Sequence, residues 1–336
     1  MSKRTLNVLI SLIVAGLFIW LAARSVDPAE FREQFSAVTF YWVPAFIVVL
    51  LLSHFMRAER WRLLLRSEEQ KKVPRSSLFA GVMFGYMMNN IVPRLGEVSR
   101  PVYVAKKHGL SSGNLLGTIV LERLIDLCSM LVLMGIVAVT ISADFELLEQ
   151  LLGIDGWAWY TYMILPAILL LVIFSIWFFY KILIYLDQNR SISNPLFSKI
   201  VKIGRSFGEG MISIKHIKNW PAFLLLTGGI WIGYIAMTYI PFWMLNLQSE
   251  FGLTVQTAIV LTVVSSIGVS IPTPAGIGSY HLLIQQSMWL LYGVPLATAL
   301  TFATVAHGAS VLLIFIICPL ALWFDKYYTL KSGSGR

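Results

Sequence analysis

The chain has 336 residues, of which 57% are hydrophobic and only 13% charged, and its mean hydropathy is +0.74. A soluble domain carries about 25% charged residues, so lipid is the main solvent here and a soluble enzyme is excluded. The net charge of +9 would suit nucleic acid, but the basic residues stand at the ends of apolar runs, where they orient membrane helices; no nucleic-acid partner is expected.

In chain order, the first apolar run, 5–24, follows Lys3 and Arg4. No small-x-small cleavage site follows it, so it reads as an uncleaved helix rather than a signal peptide. Further spans are expected at 39–57, 113–142, 159–186, 220–246 and 297–323, each near the ~20 residues that a crossing needs. The loop 57–75 holds Arg57, Arg60, Arg62, Arg66, Lys71, Lys72 and Arg75, and 187–219 is similarly basic. By contrast, 143–158 carries Asp144, Glu146, Glu149 and Asp155 with no lysine or arginine, and 247–254 carries Glu250 alone. The positive-inside rule puts the basic loops and both termini in the cytoplasm, which agrees with the parity of six spans. The basic stretch 199–218 reads as lying along the cytoplasmic surface. Arg57 to Arg62 reads as an interfacial anchor with Trp61 at head-group level, a direct substrate role being the weaker reading.

Two segments do not fit simple spans. The first is apolar over Leu78–Val92, breaks at Pro93-Arg94-Leu95-Gly96, and continues polar and basic to 108. The second is apolar over Val255–Ile271, breaks between Pro272 and Gly278, and resumes to Leu291. Each half is short for a crossing, so both read as re-entrant hairpins that enter from opposite faces. The alternative has both arms of the second segment crossing. The expected fold is an all-α polytopic membrane protein of about six spanning helices plus two oppositely oriented re-entrant helical hairpins, inverted-repeat-like. One integral-membrane domain covers 1–330, and 331–336 reads as a linker remnant. The expected location is a bacterial inner membrane.

Non-helical backbone at membrane depth is tolerated only where protein or water covers it, which makes both breaks candidate sites. Helix N-termini at Gly96 and after Gly276 and Gly278 would favour an anion. Arg94 and Arg100 add full charge, while Asn89, Asn90 and Glu97 flank the first break and Pro272 and Pro274 the second. The bland reading is that prolines and glycines simply end helices. The third span carries Glu122, Arg123 and Asp126; Glu122 would lie about 13 Å deep, and charges there are costly unless paired or hydrated. An internal ion pair and a substrate or proton network coupled to Arg94, Glu97 or Arg100 are both open. His281 and His307 suit either core packing or proton coupling. Cys128 and Cys318 lie in apolar runs and read as small core residues; with no CxxC and no His/Cys cluster, no metal or cofactor is expected.

Arg57…Arg60-Trp61, Asn89-Asn90…Pro93-Arg94-Leu-Gly96-Glu97…Arg100, Glu122-Arg123…Asp126 and Pro272-Thr-Pro274-Ala-Gly276-Ile-Gly278 together resemble the lysylphosphatidylglycerol synthase transmembrane family, the flippase-like UPF0104 group, over nearly the whole chain. The resemblance implies lipid translocation, with a phospholipid or polyprenyl-phosphate-type lipid as partner. Two departures stand out. Ala275 replaces the first glycine of the family's Pro-Gly-Gly-x-Gly motif, and His281 stands where a glutamate is aligned. No soluble aminoacyl-transferase portion follows, so lysyl transfer by this chain alone is not expected. The leading expectation is a flippase for an anionic amphiphile. A membrane-embedded lipid transferase, an accessory subunit of a synthase or glycosyltransferase, and a homo-oligomer stay open. The transferase would need metal ligands or a nucleophile, and no HExxH-type spacing is present.

Overall fold

Backbone polar groups in lipid are satisfied within helices, and this chain follows that rule. The structure is a computed structural model that describes residues 3–141, 208 and 212–333, all helices and turns with no strand among them. The expected span 159–186, the acidic loop 143–158 and most of the basic stretch 187–219 lie outside the described residues.

Helix α1 (Lys3–Ala23) turns by 89° into α2 (Pro28–Ser36). The Asp27 carboxylate starts α2 by accepting from the Ala29 N–H at 2.8 Å, with Pro28 in the first turn. Then come α3 (Val43–Leu64), α4 (Ser67–Lys72), α5 (Arg75–Ile91), α6 (Leu95–His108) and α7 (Ser112–Ile141). The later half holds α8 (Trp220–Met244), α9 (Leu247–Glu250), α10 (Val255–Ser270), α11 (Ser279–Tyr292) and α12 (Leu296–Gly333).

Among the described residues, Phe40–Leu64, Trp220–Met244 and Leu296–Tyr328 are long and apolar enough to cross a membrane, and the bent α1–α2 pair makes a fourth if it counts as one span. The protein is therefore a multi-pass helical membrane protein. Helices α3 and α8 run antiparallel: the Thr39 N–H before α3 donates to the Met244 carbonyl at the end of α8, at 2.8 Å. Lys71, Lys72 and Arg75 consequently lie at the opposite end of this pair from Glu250.

The two broken segments each fold back on themselves. In the α5–α6 pair, His108 hydrogen-bonds Ser77 at 2.9 Å at the open end, and Asn89 accepts from the Gly96 N–H at 2.6 Å at the tip. The close crossing depends on glycine, because a Cβ on Gly96 would run into the Gly85 carbonyl. At the open end, Asp325 of α12 is fully buried and accepts from Ser77, Tyr103 and Lys107, each at 2.6 Å. In the α10–α11 pair, the far ends meet in one apolar core with Leu253, Val294, Leu247 and Phe302. The turn of this second pair seats against α5 of the first and against α1.

Helix α3 continues to Leu64, so Arg57 to Arg62 is helical rather than loop. Trp61 is fully buried, with its indole N–H donating to Thr118 at 2.8 Å. This corrects the head-group anchor: the apolar ring packs between α3, α5, α6 and α7 beside Leu78, Val104 and Leu115. Cys128 is also corrected, since it is exposed on α7, whereas Cys318 is buried as expected.

Candidate functional site

Arginines one turn apart on α3 meet carboxylates one turn apart on α7, because i, i+3 and i, i+4 positions share a helix face. Arg57 donates to Glu122 at 2.5 Å and to Asp126 at 3.0 Å, and Arg60 donates to Asp126 at 2.6 Å. Arg100 reaches in from α6 and forks onto both Glu122 oxygens at 3.1 and 3.2 Å. Its guanidinium lies 4.1 Å from the Trp61 ring centroid, a cation–π contact that helps cover the buried charge. Arg57 also donates to the Tyr234 hydroxyl at 2.7 Å, which hydrogen-bonds Tyr86.

Glu122 is 0% exposed and Asp126 14% exposed. Arg123 is looser, at 3.6 Å from Glu122 and 3.7 Å from Asp126, and is 42% exposed. Four guanidinium groups thus surround two carboxylates, which leaves two positive charges uncompensated among the described residues.

This cluster forms one wall of a cavity of about 450 Å³. Arg57, Arg123, Asp126, Tyr86 and Tyr234 line that wall, with His54 and Asn90 beside it. The lining is completed by Ser265, Ser266 and Ser270 of α10, Ala275 and Tyr280 at the second break, and His307 of α12. Leu127, Met130, Trp231, Val311 and Ile314 supply apolar surface. Buried ring or amide nitrogens of His54, Asn90, Trp231 and His307, residues that contribute to the lining, have no protein partner and are covered from the cavity by neighbouring atoms.

The sequence-derived candidates divide clearly. Asn90, Arg123, Asp126 and His307 line the cavity, and Arg100 and Glu122 stand behind its wall. Asn89 instead caps α6 through the Gly96 N–H. Arg94 is exposed at the first tip and Glu97 is half-buried on α6, both outside the lining. Pro272, Pro274, Gly276 and Gly278 form the second turn; Pro272 is exposed, and the turn borders the cavity through Ala275. His281 accepts from the Gly278 N–H at 3.4 Å and stands edge-on to His307.

The N–H groups of Gly96 and Gly278 are therefore already satisfied, contrary to the expectation that they wait for an anion. Each break also sets a helix C-terminus beside an N-terminus, so the backbone dipoles largely offset and side chains set the sign of the site. Arg57 and Arg60 are the main residues missed as site candidates. Their spacing matches that of Glu122 and Asp126, and this was the available signal. His54, Tyr86 and Tyr234 gave none, because aromatic residues in apolar runs look like packing.

The lysylphosphatidylglycerol synthase TM region family matches residues 8–318. The chain belongs to that family. It is also similar to a UPF0104 membrane protein of Methanocaldococcus jannaschii, 24% identical over 309 residues that cover 85% of each chain. No solved structure matches.

One departure of this lysylphosphatidylglycerol synthase TM region from the Pro-Gly-Gly-x-Gly pattern now has a backbone meaning. Ala275 has φ 55° and ψ 8°, a left-handed conformation that costs an L-residue about 1–2 kcal/mol. Restoring glycine removes that strain but adds freedom to the unfolded chain, for a net gain of about 0.5 kcal/mol. Ala275→Gly is expected to melt slightly higher in detergent. A lower melting temperature would refute the strain account.

Proposed function

We propose that the chain is a carrier that moves an anionic lipid or lipid-linked amphiphile across a cell membrane, with its head group seated between the two broken helix pairs. The observation that carries this reading is the cavity itself. It joins a wall with excess positive charge to apolar surface, at the place where both interrupted segments meet. A charged head group leaving water must replace its hydration with such donors, while its acyl chains remain in lipid.

In this reading the chain crosses six times, with the basic ends of α3 and α8 and both termini in the cytoplasm. The broken pairs enter from opposite faces without crossing. Helix lengths support this: α10 has 16 residues and α11 has 14, about 24 and 21 Å at 1.5 Å per residue, against a hydrocarbon core of about 30 Å. Oppositely entering broken helices that meet near mid-depth are the architecture of alternating-access carriers.

The test is translocation of fluorescent phosphatidic acid and phosphatidylglycerol in proteoliposomes. Parent protein is expected to move at least one of them faster than protein-free vesicles. Arg123→Ala is expected to slow transport about ten-fold by removing a cavity-facing charge, while Arg94→Ala stays near parent because Arg94 lies outside the lining. Asp126 keeps Arg57 and Arg60 when Arg123 is lost, so the first variant should remain folded and monodisperse. Transport equal to that of empty vesicles would refute the carrier, and equal loss in both variants would move the anion site from the cavity to the exposed tip.

A further inference from the structure

We infer that the cavity selects a lipid whose phosphate carries two negative charges, a phosphomonoester or diphosphate head group, over a singly charged phosphodiester. This rests on the carrier reading above and narrows its substrate class. The argument starts from charge balance. Arg57, Arg60, Arg100 and Arg123 converge on Glu122 and Asp126, and among the described residues no other carboxylate lies within 4 Å of those guanidiniums. Glu59, the nearest acid in sequence on α3, pairs instead with Arg62 and Arg75 on an outer face.

A monoanion would leave one positive charge of this cluster unbalanced, whereas a dianion neutralises it. At such short range a unit of charge outweighs most other differences between two lipids with the same chains.

Hydrogen-bonding capacity points the same way. A phosphomonoester presents three terminal oxygens, while a phosphodiester presents two and places a second ester substituent where the third would be. Arg123 is the open donor on the cavity wall, with its guanidinium side chain 42% exposed. Arg123 makes no contact with a carboxylate shorter than 3.6 Å. Its planar fork is therefore free to take up the terminal oxygens of a phosphate. A free inorganic phosphate has the same chemistry, but it would leave Leu127, Met130, Val311 and Ile314 uncovered, so a lipid head group is the fitting source.

The experiment measures binding to purified protein in neutral-detergent micelles, with dioctanoyl phosphatidic acid, dioctanoyl phosphatidylglycerol and inorganic phosphate as probes. At pH 8 phosphatidic acid is expected to bind about ten-fold tighter than phosphatidylglycerol. The second ionisation of a phosphomonoester lies near pH 6, so this preference should disappear by about pH 5, where both lipids are monoanions. Arg123→Gln should lose most of the preference at pH 8, and Arg123→Lys, which keeps the charge without the planar fork, should retain it. Retention by lysine separates charge balance from a merely structural role.

Equal affinity for the two lipids at pH 8 would overturn the dianion selectivity while leaving the anionic carrier standing. Failure of both lipids to bind, together with no translocation, would overturn both. Inorganic phosphate binding as tightly as phosphatidic acid would show a phosphate site that ignores the lipid, and would also overturn the inference.

Discussion

Glu122→Gln is expected to abolish most folded protein. Glu122 is 0% exposed and is contacted by Arg57, Arg100, Arg60 and Arg123 at 2.5 to 3.6 Å. Glutamine keeps the shape but removes the charge, so Arg100 loses its only carboxylate and stays buried and unpaired among the described residues. Breaking one partner of such a buried network costs about 3–5 kcal/mol, a large share of the stability of a typical domain. Asp126→Asn should cost less, because Asp126 borders the cavity and Glu122 remains to hold Arg57. The readouts are monodisperse yield and melting temperature in detergent. The double variant Arg100→Met with Glu122→Gln should recover part of the loss, because it removes the stranded charge with its partner. If Glu122→Gln melts with the parent, or the double variant melts lower still, the unpaired-charge account is wrong.

This network also shows how far the sequence could be read. Long apolar runs bounded by arginine and lysine gave the helical membrane class directly, since nothing else satisfies the backbone of such runs in lipid. Breaks at Pro93 and Pro272 were visible because proline and glycine interrupt the helical pattern. The i, i+3 and i, i+4 spacing of Arg123, Asp126 and Glu122 correctly placed three charges on one region of α7. What the spacing could not say was which helix answers them. Of the partners the sequence left open, Arg100 of α6 is the one that reaches Glu122, whereas Arg57 and Arg60 come from α3, more than 60 positions away, where the membrane-interface pattern of arginine with Trp61 pointed to the wrong environment.

The same limit explains Asn89 and Arg94. Both stand beside the first break in sequence, but the left-handed turn at Arg94, φ 62°, leaves Arg94 exposed, while Asn89 folds back to cap α6. Proximity to a break is a property of sequence; facing a cavity depends on the turn's dihedrals and on which helices pack against it. The serines of α10 make the complementary point. Ser265, Ser266 and Ser270 donate their hydroxyl hydrogens to carbonyls of their own helix, so a helix of strongly apolar composition can still present oxygen atoms to the cavity.

Gly278→Ala is expected to be the most damaging single change at the second break. Gly278 has φ 87° and ψ −61°, a combination closed to residues with a Cβ. An added Cβ would also stand 2.5 Å from the Ala15 carbonyl and 2.8 Å from the Phe18 Cβ. Both obstacles belong to α1, and a backbone carbonyl cannot rotate away as a side chain can, so α1 itself must move. Backbone strain of about 1–3 kcal/mol adds to overpacking of about 1–3 kcal/mol. Gly276→Ala provides the graded comparison. Its φ is 73°, but its Cβ would meet Val269 at 3.2 Å, a contact that small shifts can relieve, and Ala275 next to it already tolerates a left-handed backbone with a Cβ. Melting temperature should therefore fall further for Gly278→Ala than for Gly276→Ala. Translocation should follow the same order, because the turn carries Ala275 at the cavity edge and Gly278 fixes how that turn sits on α1. A reversed order in melting would mean that α1 does not hold the turn in place.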